Sequence, residues 1–268
     1  ELEKFTKELT TELLTNTNLN VKDINFYFIN NKEINAFVTG GKNIFVNTGL
    51  ITQADDYREY QAVIAHELSH IIGGHIFNTS AELQNLSNKA LPVYLLGIIG
   101  IFAGSADTAI TSIMLGQASV QDGFNYYSRN QEASADQAAI NLMCSNSIDA
   151  SYLLSFLEKL DRKTLDSVSN ENYYRSTHPP IDSRKEWINI SLKNKNCEYD
   201  NSLFLQEKFS LLKSKLIAFT HNKQEVKAIY NGDGNVDLYA NAIISYLSGN
   251  HSNSLEILNR LINQEPNN

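Results

Sequence analysis

The chain has 268 residues, 42% of them apolar, which is enough for a sizeable core and excludes intrinsic disorder. Its formal net charge is −8, with no dense cluster of lysine and arginine, which excludes a nucleic-acid-binding surface. The two cysteines, Cys144 and Cys197, lie in no CxxC or Cys/His pattern and so do not make a structural zinc site. They read as separate thiols or, in an oxidising compartment, as a pair tying the end of one helix to the segment after Trp187.

No charged and apolar leader opens the chain at Glu1, so the expectation is a cytosolic protein or one whose targeting peptide lies outside this numbering. Leu2, Phe5, Leu9, Leu13 and Leu14 recur at helical spacing, and Asn16 to Asn20 ends that helix in turn-forming residues. Ile24 to Ile29 is an aromatic and β-branched strand. Ile34 to Val38 and Ile44 to Val46, separated by Gly40-Gly41, read as a β-hairpin with an outer edge open to an added strand.

From about Asp55, the residues Tyr60, Val63, Ile64, Leu68, Ile71 and Ile72 place His66-Glu67-Leu68-Ser69-His70 inside a helix. The apolar stretch Leu91 to Gly104, broken by Pro92 and glycines, is shorter than the roughly 20 residues a membrane span needs. With the residues up to Met114 it reads as a core element, a lid, a re-entrant hairpin or a loop touching a membrane. Helices are predicted from about Phe124 to Met143, from Asp149 as N-cap to Leu160, and from Ser183 to Leu192. Asn194 to Asn201 reads as a linker. The remainder is helical, and Leu238 to Leu247 with Ser252 to Ile262 resembles one tetratricopeptide helix pair. The expected organisation is a catalytic domain over residues 1–195 and a helical segment over 196–268.

His66 and His70 are one helical turn apart, so their imidazoles share a face and can grip one cation, while Glu67 sits about 100° round the helix, in reach of a water on that cation. A catalytic zinc site wants a third protein ligand. His75 is the nearer candidate; on a continuing helix it would point about 140° from His70, toward packing or a surface hydrogen bond. Glu132 is the other, with Asp136 one turn later on the same helix face as a hydrogen-bond partner for a ligand imidazole, and Ala133, Ser134 and Ala135 small enough for close helix approach. A solvated Glu/Asp face is the competing reading of that pair.

Taken in order, Asn35-Ala36-Phe37, Val46-Asn47-Thr48-Gly49-Leu50, His66-Glu67-Leu68-Ser69-His70, Tyr127-Ser128-Arg129 before Glu132-Ala133-Ser134-Ala135-Asp136, and Ser176-Thr177-His178-Pro179-Pro180 with Arg184 closely resemble the BepA/HtpX-type zinc metallopeptidases. The helical tail is similar to the periplasmic BepA branch. The resemblance implies an α+β, mostly helical, zincin-like fold with a small sheet, and one zinc ion per chain held by His66, His70 and Glu132. It further implies Asp136 behind a ligand imidazole, Glu67 as general base, and Arg129 and Arg184 as further site candidates. His178 is expected as an oxyanion donor or as a latch on the open zinc position. The implied substrates are unfolded or misassembled polypeptides in a periplasmic setting, with outer-membrane assembly machinery as a partner of the tail and residues 91–114 as a peripheral membrane contact. A cytoplasmic or membrane-associated setting is the alternative for location. For function the alternative is a chaperone-like scaffold whose tail binds partners beside a latent zinc site.

Overall fold

The structure is a computed structural model and describes residues 1–39, 42–75, 118–166, 178, 181–195, 197, 199 and 202–264. The Gly40-Gly41 turn and the apolar segment of residues 91–114 lie outside the described residues, as do Thr177, Pro179 and Pro180. Helix α1 spans Leu2–Leu14, and the strands are β1 (Asn25–Ile29), β2 (Ala36–Thr39) and β3 (Asn43–Asn47). A short α2 (Thr48–Gln53) leads to α3 (Tyr57–Ile72), followed by α4 (Ala118–Cys144), α5 (Ser151–Asp166) and α6 (Ile181–Lys193). The tail adds α7 (Leu203–Thr220), α8 (Lys223–Ile229), α9 (Asn235–Leu247) and α10 (His251–Gln264). The result is the mostly helical α+β fold with one small sheet that the sequence predicts.

Sheet order is β1-β3-β2, with β1 parallel to β3 and β2 antiparallel to it, pairing Ala36 with Val46. The predicted hairpin is therefore present, and β2 is its outer strand. Asn47 N–H donates to the Asn35 carbonyl at 3.0 Å. Successive carbonyls on a strand alternate in direction, so the next one, Ala36, points to the side of β2 away from β3.

Helix α3 is the centre of the molecule. Asp56 caps it by accepting from Arg58 N–H at 2.9 Å, and every residue from Glu59 to His70 is buried. Phe5, Leu9 and Leu13 of α1, Ile44 and Val46 of β3, and Leu153, Phe156 and Leu157 of α5 belong to the surrounding core. Each such side chain contributes roughly 1.5–3 kcal/mol on burial. Leu205 and Phe209 of α7 join this core, whereas Ile217, Val226, Tyr230, Ala240 and Ile244 form a second cluster under α7 to α9. In so buried a helix, polar residues survive only with partners. On one side, Glu59 meets Lys159 of α5 and Ser155 Oγ; the other side carries the histidines.

Within the predicted linker, Cys197 is bonded to Cys144 in a disulfide that ties the end of α4 to the stretch after α6. Of the two readings open to the cysteines, pairing is the one present. It closes a loop with a sequence separation of 53, which restricts the unfolded chain by about 4 kcal/mol in the chain-entropy model. A Cys144→Ser, Cys197→Ser double variant should therefore lose about 2–4 kcal/mol in urea unfolding, and reductant should have no further effect on it. Equal stability of oxidised and reduced wild type would contradict this. Among the described residues no helix is long and apolar enough to cross a membrane.

Candidate metal centre

The helical spacing brings His66 Nε2 and His70 Nε2 to 3.1 Å from each other, with the rings edge-on at 78°. From α4, Glu132 adds its carboxylate, with Oε2 3.2 Å from His66 Nε2 and Oε1 3.2 Å from His70 Nε2. In a tetrahedral zinc site with bonds near 2.0–2.1 Å, neighbouring donor atoms stand about 3.3–3.4 Å apart. The three groups are arranged at nearly that spacing, and His178 completes a buried set whose donor atoms all lie within 4.8 Å of one another.

The side chains behind these donors hold them in place. Asp136 Oδ1 is 2.9 Å from His66 Nδ1, which directs the proton to Nδ1 and leaves Nε2 for the cluster. Arg184 of α6 donates from Nε and Nη2 to both Asp136 oxygens at 2.8 and 2.7 Å and places Nη1 3.0 Å from Glu132 Oε2. Burial alone would raise the Asp136 pKa, and Arg184 and His66 outweigh it, so the carboxyl titrates below its ordinary range. Burial and Arg184 likewise oppose a proton on His66, but Glu132 and Asp136 overcome them and hold it up at about 9. At Glu132 the burial cost is reversed by His178, Arg184 and His66, which keep the carboxylate ionised well below its usual pKa.

His178 presents one nitrogen to each side of the site. Nε2 is 3.1 Å from the Ala36 carbonyl on β2 and 3.5 Å from Glu67 Oε1, while Nδ1 is 3.0 Å from Glu132 Oε1. A carbonyl can only accept, so Nε2 carries a proton. With a proton on Nδ1 as well, the ring donates to Glu132 Oε1; without that proton, Nδ1 offers a lone pair to the same point as His66 and His70.

Glu67 is fully buried, and neither of its oxygens accepts a hydrogen bond among the described residues. An ionised carboxylate in that position is costly unless a water or cation meets it. Together with the buried nitrogen and oxygen donors that converge on one point from His66, His70, Glu132 and His178, this orphaned carboxylate shows that the residues present fit a divalent metal and its water.

Two expectations need correction. His75 does not continue the helix away from His70. The helix stops at Ile72, Gly74 takes φ +62, and the chain turns back so that His75 Nδ1 lies 3.0 Å from His70 Nδ1. Burial and the neighbouring His70 depress the His75 pKa to about 4. Close approach of α4 to α3 is also not owed to all three small residues: Ala133 and Ser134 are exposed, and Ala135 and Ala139, on the same face as Glu132 and Asp136, are the buried ones. Arg129 is exposed and makes none of these contacts. The clamp that Arg184 forms could be named from its place in the motif, but its targets could not.

A buried HExxH helix crossed by a helix bearing a glutamate, on an α+β frame, is the zincin type of metallopeptidase. Residues 2–189 match the model of Peptidase family M48, and the chain belongs to that family. The beta-barrel assembly-enhancing protease of Yersinia pestis is 28% identical over 186 residues, 68% of this chain and 37% of that protein. Its Escherichia coli (strain K12) counterpart is 28% identical over 184 residues, again 68% and 37%. The metalloprotease LoiP of Escherichia coli (strain K12) is 28% identical over 159 residues, 59% of this chain and 60% of that protein. The match to the assembly-enhancing proteases thus spans little more than a third of their length. The resemblance read from the motifs is borne out.

Proposed function

We propose that this chain is a zinc-dependent endopeptidase that cleaves extended segments of unfolded or misassembled proteins in envelope quality control. The observation that carries the reading is the meeting of His66, His70 and Glu132 at donor spacing beside a buried Glu67 whose oxygens accept no hydrogen bond among the described residues. In this reading residues 1–195 are the catalytic domain, and the tail, with its α9–α10 tetratricopeptide-like pair, recruits outer-membrane assembly partners. A periplasmic setting is supported by the Cys144–Cys197 disulfide, since such bonds persist in oxidising compartments.

His66, His70 and Glu132 would hold the zinc, which supplies Lewis acidity that acidifies water and polarises the scissile carbonyl. Glu67 takes the proton of the attacking water and returns it to the departing amine. Asp136 and Arg184 keep His66 and Glu132 in their donor geometry. An extended substrate pairs with the open side of β2, where backbone bonding tolerates many sequences. His178 occupies the Ala36 carbonyl in the resting state and acts as a latch. An incoming strand competes for that carbonyl and releases the ring, whose N–H then donates to the developing oxyanion.

The test is cleavage of casein and of a compact folded protein by the zinc-loaded chain. Casein should be degraded, while the folded protein stays intact until it is denatured. Failure to cut casein, or equal cleavage of both folded and denatured forms, would overturn the proposal.

A further inference from the structure

We infer that His75 is a positioning residue for the metal centre: its Nδ1 accepts a hydrogen bond from His70 Nδ1–H and so presents His70 Nε2 to the ion. The inference rests on the zinc reading above and concerns a residue that the HExxH spacing leaves out. The two imidazole ligands need the same support. A histidine that binds metal through Nε2 keeps its proton on Nδ1, and an acceptor for that proton fixes tautomer and ring angle together. For His66 the acceptor is Asp136, at 2.9 Å. For His70 it is His75, at 3.0 Å, with the two rings 5.0 Å apart and at 80°. Both rings are buried, so water does not easily supply a substitute acceptor.

The local chain is built for this return. Gly74 at φ +62 reverses the backbone at a conformation that side-chain-bearing residues rarely adopt. Gly73 leaves the space in which the His75 ring lies, since a Cβ there would stand 2.6 Å from His75 Nε2 and 3.0 Å from Cδ2. The His75 carbonyl in turn faces Gln131 Nε2 at 3.4 Å, beside the Glu132 position on α4. Direction matters: were His75 the donor, His70 Nδ1 would be the acceptor and its proton would sit on Nε2, where it blocks a metal.

The experiment measures zinc affinity of the full chain by chelator competition for wild type, His75→Phe and His75→Gln, with zinc alone as the probe. Phenylalanine keeps the ring volume and lacks the acceptor, so the zinc Kd should rise about 10–100-fold. Glutamine restores an acceptor oxygen and should recover most of that loss, which a role in packing alone would not produce. A Kd for His75→Phe within twofold of wild type overturns the inference, and so does an equal loss in both variants. Nitrogen-15 spectra of the histidines in zinc-loaded wild type give a reading independent of any variant's folding: the proton must sit on His70 Nδ1 and not on His75 Nδ1, and the reverse placement overturns the inference. Wild type that binds no zinc would instead sink the metal reading, and this inference with it.

Discussion

A Glu67→Gln variant is expected to keep its zinc and lose peptide hydrolysis by about 10²–10⁴-fold, the usual contribution of a general base. The substitution is nearly isosteric at a fully buried position, so packing against the rest of α3 is retained. It replaces a carboxylate whose oxygens accept no hydrogen bond among the described residues with an amide, which has no basic lone pair for the proton of water. Glu67 is also absent from the cluster of His66, His70, Glu132 and His178, so its loss removes no ligand. Removing the charge relieves the desolvation cost of a buried carboxylate, and the thermal midpoint should stay level or rise. Casein cleavage followed beside metal content checks this. Cleavage within threefold of wild type would remove Glu67 from the chemistry.

The second large effect is at Glu132. In Glu132→Ala, zinc affinity should fall by more than the 10–100-fold that follows loss of a ligand's hydrogen-bond partner, because a ligand itself is gone. Hydrolysis should fall in parallel and be partly recovered by excess zinc. The change also takes away the counter-charge that meets Arg184 Nη1 at 3.0 Å and the oxygen 3.0 Å from His178 Nδ1. Apo stability should therefore drop as well, by about 3–5 kcal/mol for one half of a buried ion pair. Zinc titration and urea unfolding of the metal-free protein measure the two effects separately. An alanine variant that binds zinc like wild type would exclude Glu132 as a ligand.

How much of this was legible in the sequence differs from residue to residue. The pair His66 and His70 and the face shared by Glu132 and Asp136 follow from a period of 3.6 residues, which is a local property. The β2–β3 hairpin follows from alternation and a glycine pair for the same reason. The reversal after Ile72 is also local, in Gly73-Gly74, but a helix continued through it by apolar periodicity points His75 to the wrong side. Of the run of small residues only every third or fourth position faces α3, so Ala135 and Ala139 matter and Ala133 and Ser134 do not. Contacts made across the fold leave no local mark. The bond from His178 to Ala36, the grip of Arg184 on both carboxylates and the disulfide each depend on how distant elements pack. The tail is predicted as helical throughout, and α7 and α8 fall within it, whereas the six residues of α2 make too few turns to set a period.

Zinc K-edge absorption on the zinc-loaded chain reads the identity of the groups around the metal directly. The arrangement of His66, His70 and Glu132 requires one tightly held zinc per chain, a shell of nitrogen and oxygen only, outer-shell scattering from at least two imidazoles, and loss of the carboxylate contribution in Glu132→Ala. Zinc lost on dialysis against buffer, sulfur in the shell, or a spectrum unchanged by Glu132→Ala would contradict it.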